Sequence, residues 1–475
     1  MAKDPVSKKD PVDKEVPTSR AVRTAALGRI AAGQVLRQAG AKVATVGRGE
    51  DKKKVVMDRR QAEAMRALVN GLGTMRGAAM KIGQALSVVD GGIFPDEIRE
   101  DFQKALAQLR DSAPTVSFDK MRKVIEEDLG GKLAEHFAHF EDAPLASASI
   151  GQVYRARLHD GREVCVKVQY PGIDKAVRAD IKNMALLTHG LKIIAPALDT
   201  KAMADEIRDR VEEELDYELE AQNQRAAARL YRGHPFIVVP DVVSSLSGRR
   251  VLVTEFFAGR GFEEIKDADQ QTRNRVAEIL FRFFGGGMLR YRQFSGDPHP
   301  GNFLVGDDGR VAFLDFGLYK YVAAEAVEHQ LRIQRAMAED DAVGVHRALS
   351  EAGFIPEPDS VPVDEAAGIV GAVIGWLTTD ENLCITPEMV NDAMAQTIVP
   401  TSDSFGLIRK QSVPQEQLVT LRTLVMVMAA LGQLRAEGNW HRIAREWQYN
   451  DAPVTELGRI EAESEWAITT LAAAG

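Results

Sequence analysis

The sequence predicts an α+β fold of two lobes, a small lobe built on an antiparallel sheet and a larger helical lobe, preceded by a helical extension. The chain has 475 residues, more than one average domain. Alternating apolar and polar residues indicate two short hairpins, at 153–168 and 302–314, each with Asp-Gly in its turn. Helical periodicity dominates before the first hairpin and after the second. With 45% hydrophobic and 27% charged residues, most of the chain is expected to fold.

Residues 1–55 are predicted to be a basic, partly disordered extension with an amphipathic helix. Residues 1–17 are Lys, Asp and Pro without apolar periodicity, and arginines recur among apolar residues between Arg20 and Arg37. Residues 1–60 hold 15 Lys or Arg against 7 Asp or Glu, although the whole chain has a net charge of −9. Peripheral contact with an anionic membrane and a solvated tail remain as alternatives. We expect no nucleic-acid partner.

Hydropathy and cysteine content predict a cytoplasmic protein, with peripheral membrane attachment as the alternative. The longest apolar stretches, 369–377 and 424–432, fall short of the roughly 18 to 20 residues that a membrane-spanning helix needs. The N-terminus lacks the apolar core of a signal peptide. Cys165 and Cys384 are the only cysteines, which fits a reducing compartment.

The predicted lobes follow from the order of these elements. Residues 56–130 form a helical extension, 131–258 the sheet lobe and 259–475 the helical lobe. Within the lobes we predict a long helix over 174–231, strands at 238–243 and 251–257, and a helix over 274–291. In the last third, Met426 and Met428 either pack in the core, which is the favoured interpretation, or line an adaptable hydrophobic cavity.

One candidate for phosphate binding is Lys167, near the end of the strand-like run 164–168. A lysine on a strand can reach the phosphates of ATP. Taken alone, the pattern is more typical of a lysine on the wet face of a sheet.

Two loops give a stronger indication of a site for phosphoryl transfer. Asp297 precedes Asn302 by five residues, and Asp315-Phe316-Gly317 follows one hairpin later. Phosphoryl transfer requires metal to offset phosphate charge, and Asn302 and Asp315 offer the hard oxygen ligands that Mg²⁺ prefers. The five-residue spacing from Asp297 to Asn302 matches that of a catalytic-loop aspartate, which orients an attacking hydroxyl. A tight surface turn is the alternative, and the matched spacing makes it improbable.

An acidic run, 212–220, lies on the predicted helix between these elements. Most of these acids are expected to form a solvated face. A kinase-like site nevertheless requires one helix carboxylate to hold the strand lysine, and Glu214 is the candidate partner of Lys167.

The sequence resembles the ABC1 family of atypical kinases, also called the ADCK or UbiB family, from about Met75 to at least Lys320. Lys81-Ile82-Gly83-Gln84 resembles its KxGQ signature, and 146–153 its alanine-rich nucleotide loop. Glu214-Leu215-Asp216-Tyr217 and Glu220-Ala221 resemble its acidic helix motif. The resemblance implies a bilobal, protein kinase-like fold that uses ATP and Mg²⁺.

The resemblance also implies roles for individual residues. Catalysis is assigned to Asp297, Lys167 and Glu214, and metal binding to Asn302 and Asp315. The candidate nucleotide-binding residues are Ala146, Ser147, Ala148, Ser149, Gly151, Gln152, Val153, Lys167 and Glu255. A regulatory contact is expected between a KxGQ helix that carries Lys81, Gly83 and Gln84 and the acids Asp216 and Glu220.

These features predict an ABC1-type kinase or ATPase that binds Mg-ATP and acts on, or responds to, a small hydrophobic or lipid-like molecule of isoprenoid, lipid or quinone metabolism. No long activation segment follows Gly317, so a peptide-docking platform is missing and no protein substrate is expected. Two alternatives stay open: an ATP-dependent module that binds a hydrophobic ligand without phosphoryl transfer, and a phosphotransferase of the antibiotic-modifying kind.

Overall fold

A computed structural model describes residues 116–148, 150–178, 214–355, 357–398 and 415–468, with the side chains of 394–398 and 415–418 left aside. The predicted basic extension and the KxGQ segment lie outside these residues. The described chain divides into two compact units. The first contains the described residues up to Leu215 together with Leu246–Val253, and the second contains Asp216–Ser245 and the residues from Thr254 onward. Residues 216–245 thus group with the helical unit, although the sequence placed them in the sheet lobe.

The first unit is built on an antiparallel sheet with helices beside it. Its helices are α1 (Phe118–Leu129) and α2 (Leu133–His136), and its strands are β1 (His139–Phe140), β2 (Ala146–Ser147), β3 (Gly151–Arg157) and β4 (Glu163–Gln169). The strand order is β1-β3-β4-β6, where β6 (Val251–Glu255) is the later strand, and β2 also pairs with β3. The first predicted hairpin is therefore present.

Burial along β4 alternates as its sequence predicts. Val164, Val166 and Val168 are fully buried, whereas Cys165 and Lys167 on the other face are half-buried. Opposite the end of β4, a Cβ on Gly151 would lie 2.1 Å from the carbonyl oxygen of Val168, so this approach of β3 to β4 requires glycine.

The second unit is mainly helical. Its helices are α3 (Tyr217–Leu230), α4 (Phe262–Lys266), α5 (Gln270–Phe281), α6 (Gly287–Leu289), α7 (Ala324–Ala338), α8 (Ala342–Glu351), α9 (Val363–Ile374), α10 (Pro387–Ile398), α11 (Gln415–Gln433), α12 (Trp440–Gln448) and α13 (Glu456–Glu463). Its further strands are β5 (Ile237–Val238), β7 (Gln293–Ser295), β8 (Phe303–Val305), β9 (Val311–Phe313), β10 (Tyr319–Tyr321), β11 (Leu383–Cys384) and β12 (Glu437–Gly438). The strands pair as β5-β9-β8, β10-β7 and β11-β12.

The helix predicted over 274–291 starts earlier and is interrupted. Asp269 caps the N-terminus of α5 by accepting the amide of Thr272, which moves the start to Gln270. A π-helix, Arg282–Gly286, then separates α5 from α6, and all five of its residues are buried. π-Helical turns within helices frequently accompany functional sites.

Two other predicted elements are shorter than expected. The long helix over 174–231 is broken at 215–216, because the Asp216 side chain accepts the amides of Glu218 and Leu219 and starts α3 anew. The strand predicted at 238–243 reduces to β5 and one bridge between Val242 and Thr254. Pro240 lies between them and has no N–H for a sheet ladder.

Within the described residues, no helix is both long and apolar enough to cross a membrane. Met428 is buried in the core of the second unit, as the favoured packing interpretation predicts, and Met426 is partly buried.

Candidate active site

The two predicted metal loops of the second unit are held together by backbone and side-chain bonds. Asn302 donates its amide Nδ2 to the carbonyl of Asp297 at 3.1 Å and accepts the amide N–H of Leu314 at its own carbonyl at 2.9 Å. One hydrogen bond thus closes the Asp297 loop, and the other joins it to the segment that carries Asp315.

The β8–β9 hairpin explains this proximity. Phe303 pairs with Phe313, so Asn302 directly precedes one strand and Leu314 directly follows the other. The hairpin therefore sets the register in which Asn302 lies beside the Asp-Phe-Gly motif.

A second pair of strands braces the loops from the other side. Ser295 of β7 pairs with Tyr319 of β10, and the next residue, Gly296, donates its N–H to Leu318 at 2.7 Å. The buried hydroxyl of Ser295 donates to the carbonyl of Asp315 at 3.2 Å, and the same hydroxyl oxygen accepts the backbone amide of Asp297 at 3.5 Å. One side chain thus lies between the backbones of both candidate aspartates.

The side chains on these loops fit a magnesium ion. Asp315 accepts the amide of Gly317 at Oδ1 at 3.0 Å, which orients the carboxylate, and the bond from Nδ2 of Asn302 orients its amide. A carboxylate and an amide oxygen are hard ligands, and Mg²⁺ commonly takes only one or two protein ligands besides phosphate and water. In the part of the chain that the structure describes, no group of three or more His, Cys, Asp or Glu residues could hold a metal ion.

In the first unit, β4 places Lys167 opposite Val153 of β3. Gln169 lies two residues beyond Lys167 and therefore on the same face of the strand. Its side-chain amide donates to the carbonyl of Leu215 at 2.9 Å. This bond spans 46 residues of sequence, and it brings the residue that follows Glu214 to the face of β4 that carries Lys167.

The alanine-rich segment forms a tight hairpin. Ala146 pairs with Val153, Ser147 pairs with Gln152, and the amide of Ala148 donates to the carbonyl of Gly151 at 2.8 Å. Ser149 lies outside the described residues. The Gln152 side chain is buried and accepts the hydroxyl of Tyr154 at 2.9 Å. Ala146 and Ser147 are exposed, so this edge of the hairpin is open to a ligand.

Comparison with known proteins assigns the family. A family model described as the ABC1 atypical kinase-like domain matches residues 108–349, half of the chain. The chain belongs to the ABC1 family. The resemblance inferred from the KxGQ and alanine-loop motifs is confirmed, and the described domain is atypical kinase-like.

Individual relatives agree with this assignment. The chain is 30% identical over 359 residues to "Atypical kinase COQ8B, mitochondrial" of Danio rerio, covering 73% of this chain and 56% of the relative. It is 34% identical over 260 residues to "AarF domain-containing protein kinase 1" of Mus musculus, covering 53% and 48%. The chain thus spans about half the length of such curated relatives.

A solved structure matches over most of its length. "The complex structure of Rv3197-erythromycin from Mycobacterium tuberculosis" aligns with a TM-score of 0.60 and 33% identity, covering 83% of this chain and 97% of that one. The predicted α+β, kinase-like fold is confirmed.

The remaining ABC1 motif residues differ in whether the structure describes them and in their position and burial. Lys81, Gly83 and Gln84 lie outside the described residues. Asp216 is a helix cap, and Glu220, four residues later on α3, is buried. The predicted single acidic helix is therefore wrong at this point, since Glu214 precedes the cap and Glu220 follows it. Glu255, at the exposed end of β6, accepts the amide of Asp241 at 3.4 Å.

Sequence reasoning missed three residues that hold candidate site segments within one unit or the other. Ser295 and Gln169 make the contacts described above, and Asn223 of α3 donates its side-chain amide to the carbonyl of Phe316 at 3.0 Å. Their side chains act on the backbone of distant residues, and no local spacing indicates such partners. The one signal available in the sequence was the position of Ser295, two residues before Asp297.

Proposed function

We propose that this protein is an ABC1-type kinase or ATPase that binds Mg-ATP and acts on, or responds to, a small hydrophobic or lipid-like molecule. The observation that carries the proposal is the bond from Asn302 to the carbonyl of Asp297, made within a loop that the β8–β9 hairpin joins to Asp315. A surface turn does not require this pairing of loops, whereas a phosphoryl-transfer site does.

The residues take distinct roles in this proposal. Asn302 and Asp315 hold Mg²⁺, which when bound offsets the charge of the nucleotide phosphates. Asp297 orients the attacking hydroxyl or water. Lys167 contacts the phosphates and Glu214 positions it, and the bond between Gln169 and Leu215 supports this pairing. Ala146–Ser147 and the facing residues of β3 contact the nucleotide, with Glu255 at the end of β6.

The ligand class rests on relatives. The Mycobacterium tuberculosis protein was solved as a complex with erythromycin, and it is 33% identical to this chain. The resemblance to quinone-linked ABC1 members supports isoprenoid, lipid or quinone metabolism. We therefore propose a hydrophobic small molecule as the partner, with no protein substrate and with peripheral contact to anionic membrane through the basic residues 1–55.

A second candidate is a binding module in which ATP sets the conformation without phosphoryl transfer. The complex of the Mycobacterium tuberculosis relative with erythromycin favours it, because that structure contains a bound small molecule. Purified protein, measured for phosphate release with and without erythromycin and a panel of prenols, separates the two. Stimulated release indicates an enzyme, whereas ligand binding with no release at any concentration indicates a binding module.

The nucleotide site itself is tested with Asp315→Asn. An amide cannot match the charge of the carboxylate on Mg²⁺, so the thermal shift induced by Mg-ATP should be lost. Asp307→Asn, in the turn of the β8–β9 hairpin, is the matched control and should keep the full shift. A folded Asp315→Asn protein with an unchanged shift would remove Asp315 from the site.

The KxGQ segment is proposed to act as a lid. Lys81, with Gly83 and Gln84 beside it, is assigned by family resemblance to contact Asp216 or Glu220. Lys81→Ala should then change nucleotide preference or permit self-phosphorylation with the fold retained. Wild-type nucleotide affinity and turnover without self-phosphorylation would leave Lys81 as a surface lysine.

A further inference from the structure

An apolar cavity lies inside the second unit, among helices that carry none of the candidate catalytic residues. Its volume is about 50 Å³. The walls include Phe284, Gly285 and Met288 from the π-helix and α6, Leu424 and Val427 from α11, and Trp447 from α12. Sites for small molecules occur preferentially in such spaces between the helices of a bundle.

The residues that line the cavity differ in their exposure. Phe281, Leu377 and Ala444 are at most 2% exposed. Leu289, Leu421 and Leu424 line it as well and are half-buried, and these three residues are its half-buried rim. Entry of an apolar group past this rim is part of the inference drawn below.

The π-helix forms part of the cavity wall. Gly285 lines the cavity, and a Cβ there would lie 2.9 Å from the ring of Trp447, while a Cβ on Gly286 would lie 3.4 Å from the same ring. The ring of Trp447 thus occupies the place that a side chain on Gly285 would take, and glycine allows the two walls to approach this closely.

The chemistry of the walls selects an apolar occupant. The hydroxyl of Thr423 donates to the carbonyl of Val419 at 2.8 Å, and Gln334 accepts the side-chain amide of Gln448 at 2.9 Å. These polar groups are engaged within the protein, and most of the remaining wall is hydrocarbon. Apolar cavities of this kind stay dry and bind apolar molecules.

The volume limits the size of the occupant. One water needs about 10–15 Å³ of such space, so 50 Å³ holds roughly three or four heavy atoms. A macrolide cannot be enclosed, and a long straight chain would protrude. The branched end of a chain, such as the terminal unit of a prenyl group, matches both the size and the surface.

We infer that this cavity binds the branched apolar end of a hydrophobic small molecule, with the rest of that molecule outside the half-buried rim. The inference rests on the proposed function, which explains why the protein would bind such a molecule. The cavity indicates where the molecule binds. It makes the helical unit, rather than the nucleotide loops, the site of ligand recognition.

The test uses the full chain and geraniol, a branched prenyl alcohol, with glycerol as the polar control. Leu424→Phe adds volume at the cavity wall, and Val425→Phe makes a comparable change at a half-buried residue of the same helix that does not line the cavity. Geraniol, but not glycerol, should raise the melting temperature of wild type and of Val425→Phe. Leu424→Phe should weaken the geraniol affinity at least tenfold.

The thermal shift with Mg-ATP is measured for the same proteins and separates the two proposals. If wild type responds to geraniol and not to Mg-ATP, the proposed function fails and the cavity site stands. If geraniol has no effect, or if its effect survives in Leu424→Phe, the cavity site is wrong whatever the response to Mg-ATP. Should Leu424→Phe fail to fold, wild-type crystals under xenon pressure decide, because an empty cavity there contradicts the inference.

Discussion

The guanidinium of Arg282 and the carboxylate of Glu446 form a two-point ion pair inside the second unit, with Nη2–Oε1 and Nη1–Oε2 distances of 2.8 and 2.9 Å. Both side chains are at most 5% exposed. Arg282 also contacts Glu278 at 2.8 Å and Glu461 at 3.3 Å. The guanidinium of Arg282, on the π-helix, therefore joins α5, α12 and α13. Burial raises the pKa of Glu461 above its ordinary value.

We expect Arg282→Met to destabilise the protein by about 3–5 kcal/mol, because it leaves three carboxylates buried without a cation. Burial already raises the pKa of Glu461, and without the cation this carboxyl would take up a proton in the folded state more readily than in the unfolded state, so stability should fall as pH rises through its raised pKa. Urea unfolding at pH 5 and pH 8 measures this, and the loss should be larger at pH 8. Arg332→Met, in an exposed pair with Glu351, is the control and should cost at most about 1 kcal/mol. Equal losses in the two variants would show that the buried cluster contributes nothing beyond a surface pair.

His234 should make the fold sensitive to acid. Its Nδ1 accepts the amides of Phe236 and Ile237, and its ring packs edge-on against Trp466 at 4.2 Å. Burial lowers the pKa of His234 to about 3, from an ordinary value of 6.5. As pH falls, His234 of the unfolded chain therefore binds a proton at a higher pH than His234 of the folded chain. The stability that depends on neutral His234 is complete above pH 6.5 and is lost as pH falls toward 3.

The slope is at most about 1.4 kcal/mol per pH unit for this one group. His234→Asn keeps an acceptor near the position of Nδ1 and removes the titration. Unfolding free energies at pH 7, 6 and 5 should fall less steeply for this variant than for wild type. Parallel curves would assign the acid sensitivity to other groups.

Ser295→Ala should weaken magnesium-dependent nucleotide binding while leaving the fold intact. The hydroxyl lies between the carbonyl of Asp315 and the amide of Asp297, and its loss should cost about 0.5–1.5 kcal/mol of stability. The larger effect should be a rise of roughly 3- to 10-fold in the Mg²⁺ concentration that half-saturates the thermal shift with ATP, because the loops lose their shared brace.

Ser350→Ala is the matched control, since its hydroxyl also donates to a carbonyl, that of His346, on a helix without candidate site residues. It should lose similar stability with no change in the Mg²⁺ midpoint. If the two variants shift the midpoint equally, Ser295 has only a structural role.

Lys167 and Glu214 should behave as one energetic unit in nucleotide binding. Lys167→Met and Glu214→Gln should each reduce ATP affinity about tenfold or more, and the double variant should be no worse than the poorer single one, because both changes remove the same interaction. The exposed pair Lys266–Glu263, at 2.6 Å, is the control cycle for nucleotide binding and should show no coupling. Additive effects of the two site variants would assign the pairing to Asp216 or Glu220.

The sequence alone determined the order and identity of the chemical groups. Alternation at 164–168, the Asp-Gly turns, and the five-residue spacing of Asp297 and Asn302 depend on neighbours along the chain, so they could be interpreted without coordinates. The same holds for the motifs that placed the chain in the ABC1 family. The helix predicted over 174–231 was wrong at Asp216 because helical periodicity does not reveal whether an aspartate caps a new helix.

Only the tertiary structure decided which distant groups meet. Arg282 finds its partners 164 and 179 residues away, Gln169 reaches the carbonyl of Leu215, and burial beside aromatic rings lowers the pKa of His234. Each of these depends on desolvation or on close packing between residues remote in sequence. The close approach of the π-helix to α12 has the same origin, since Gly285 is needed only because the ring of Trp447 packs there.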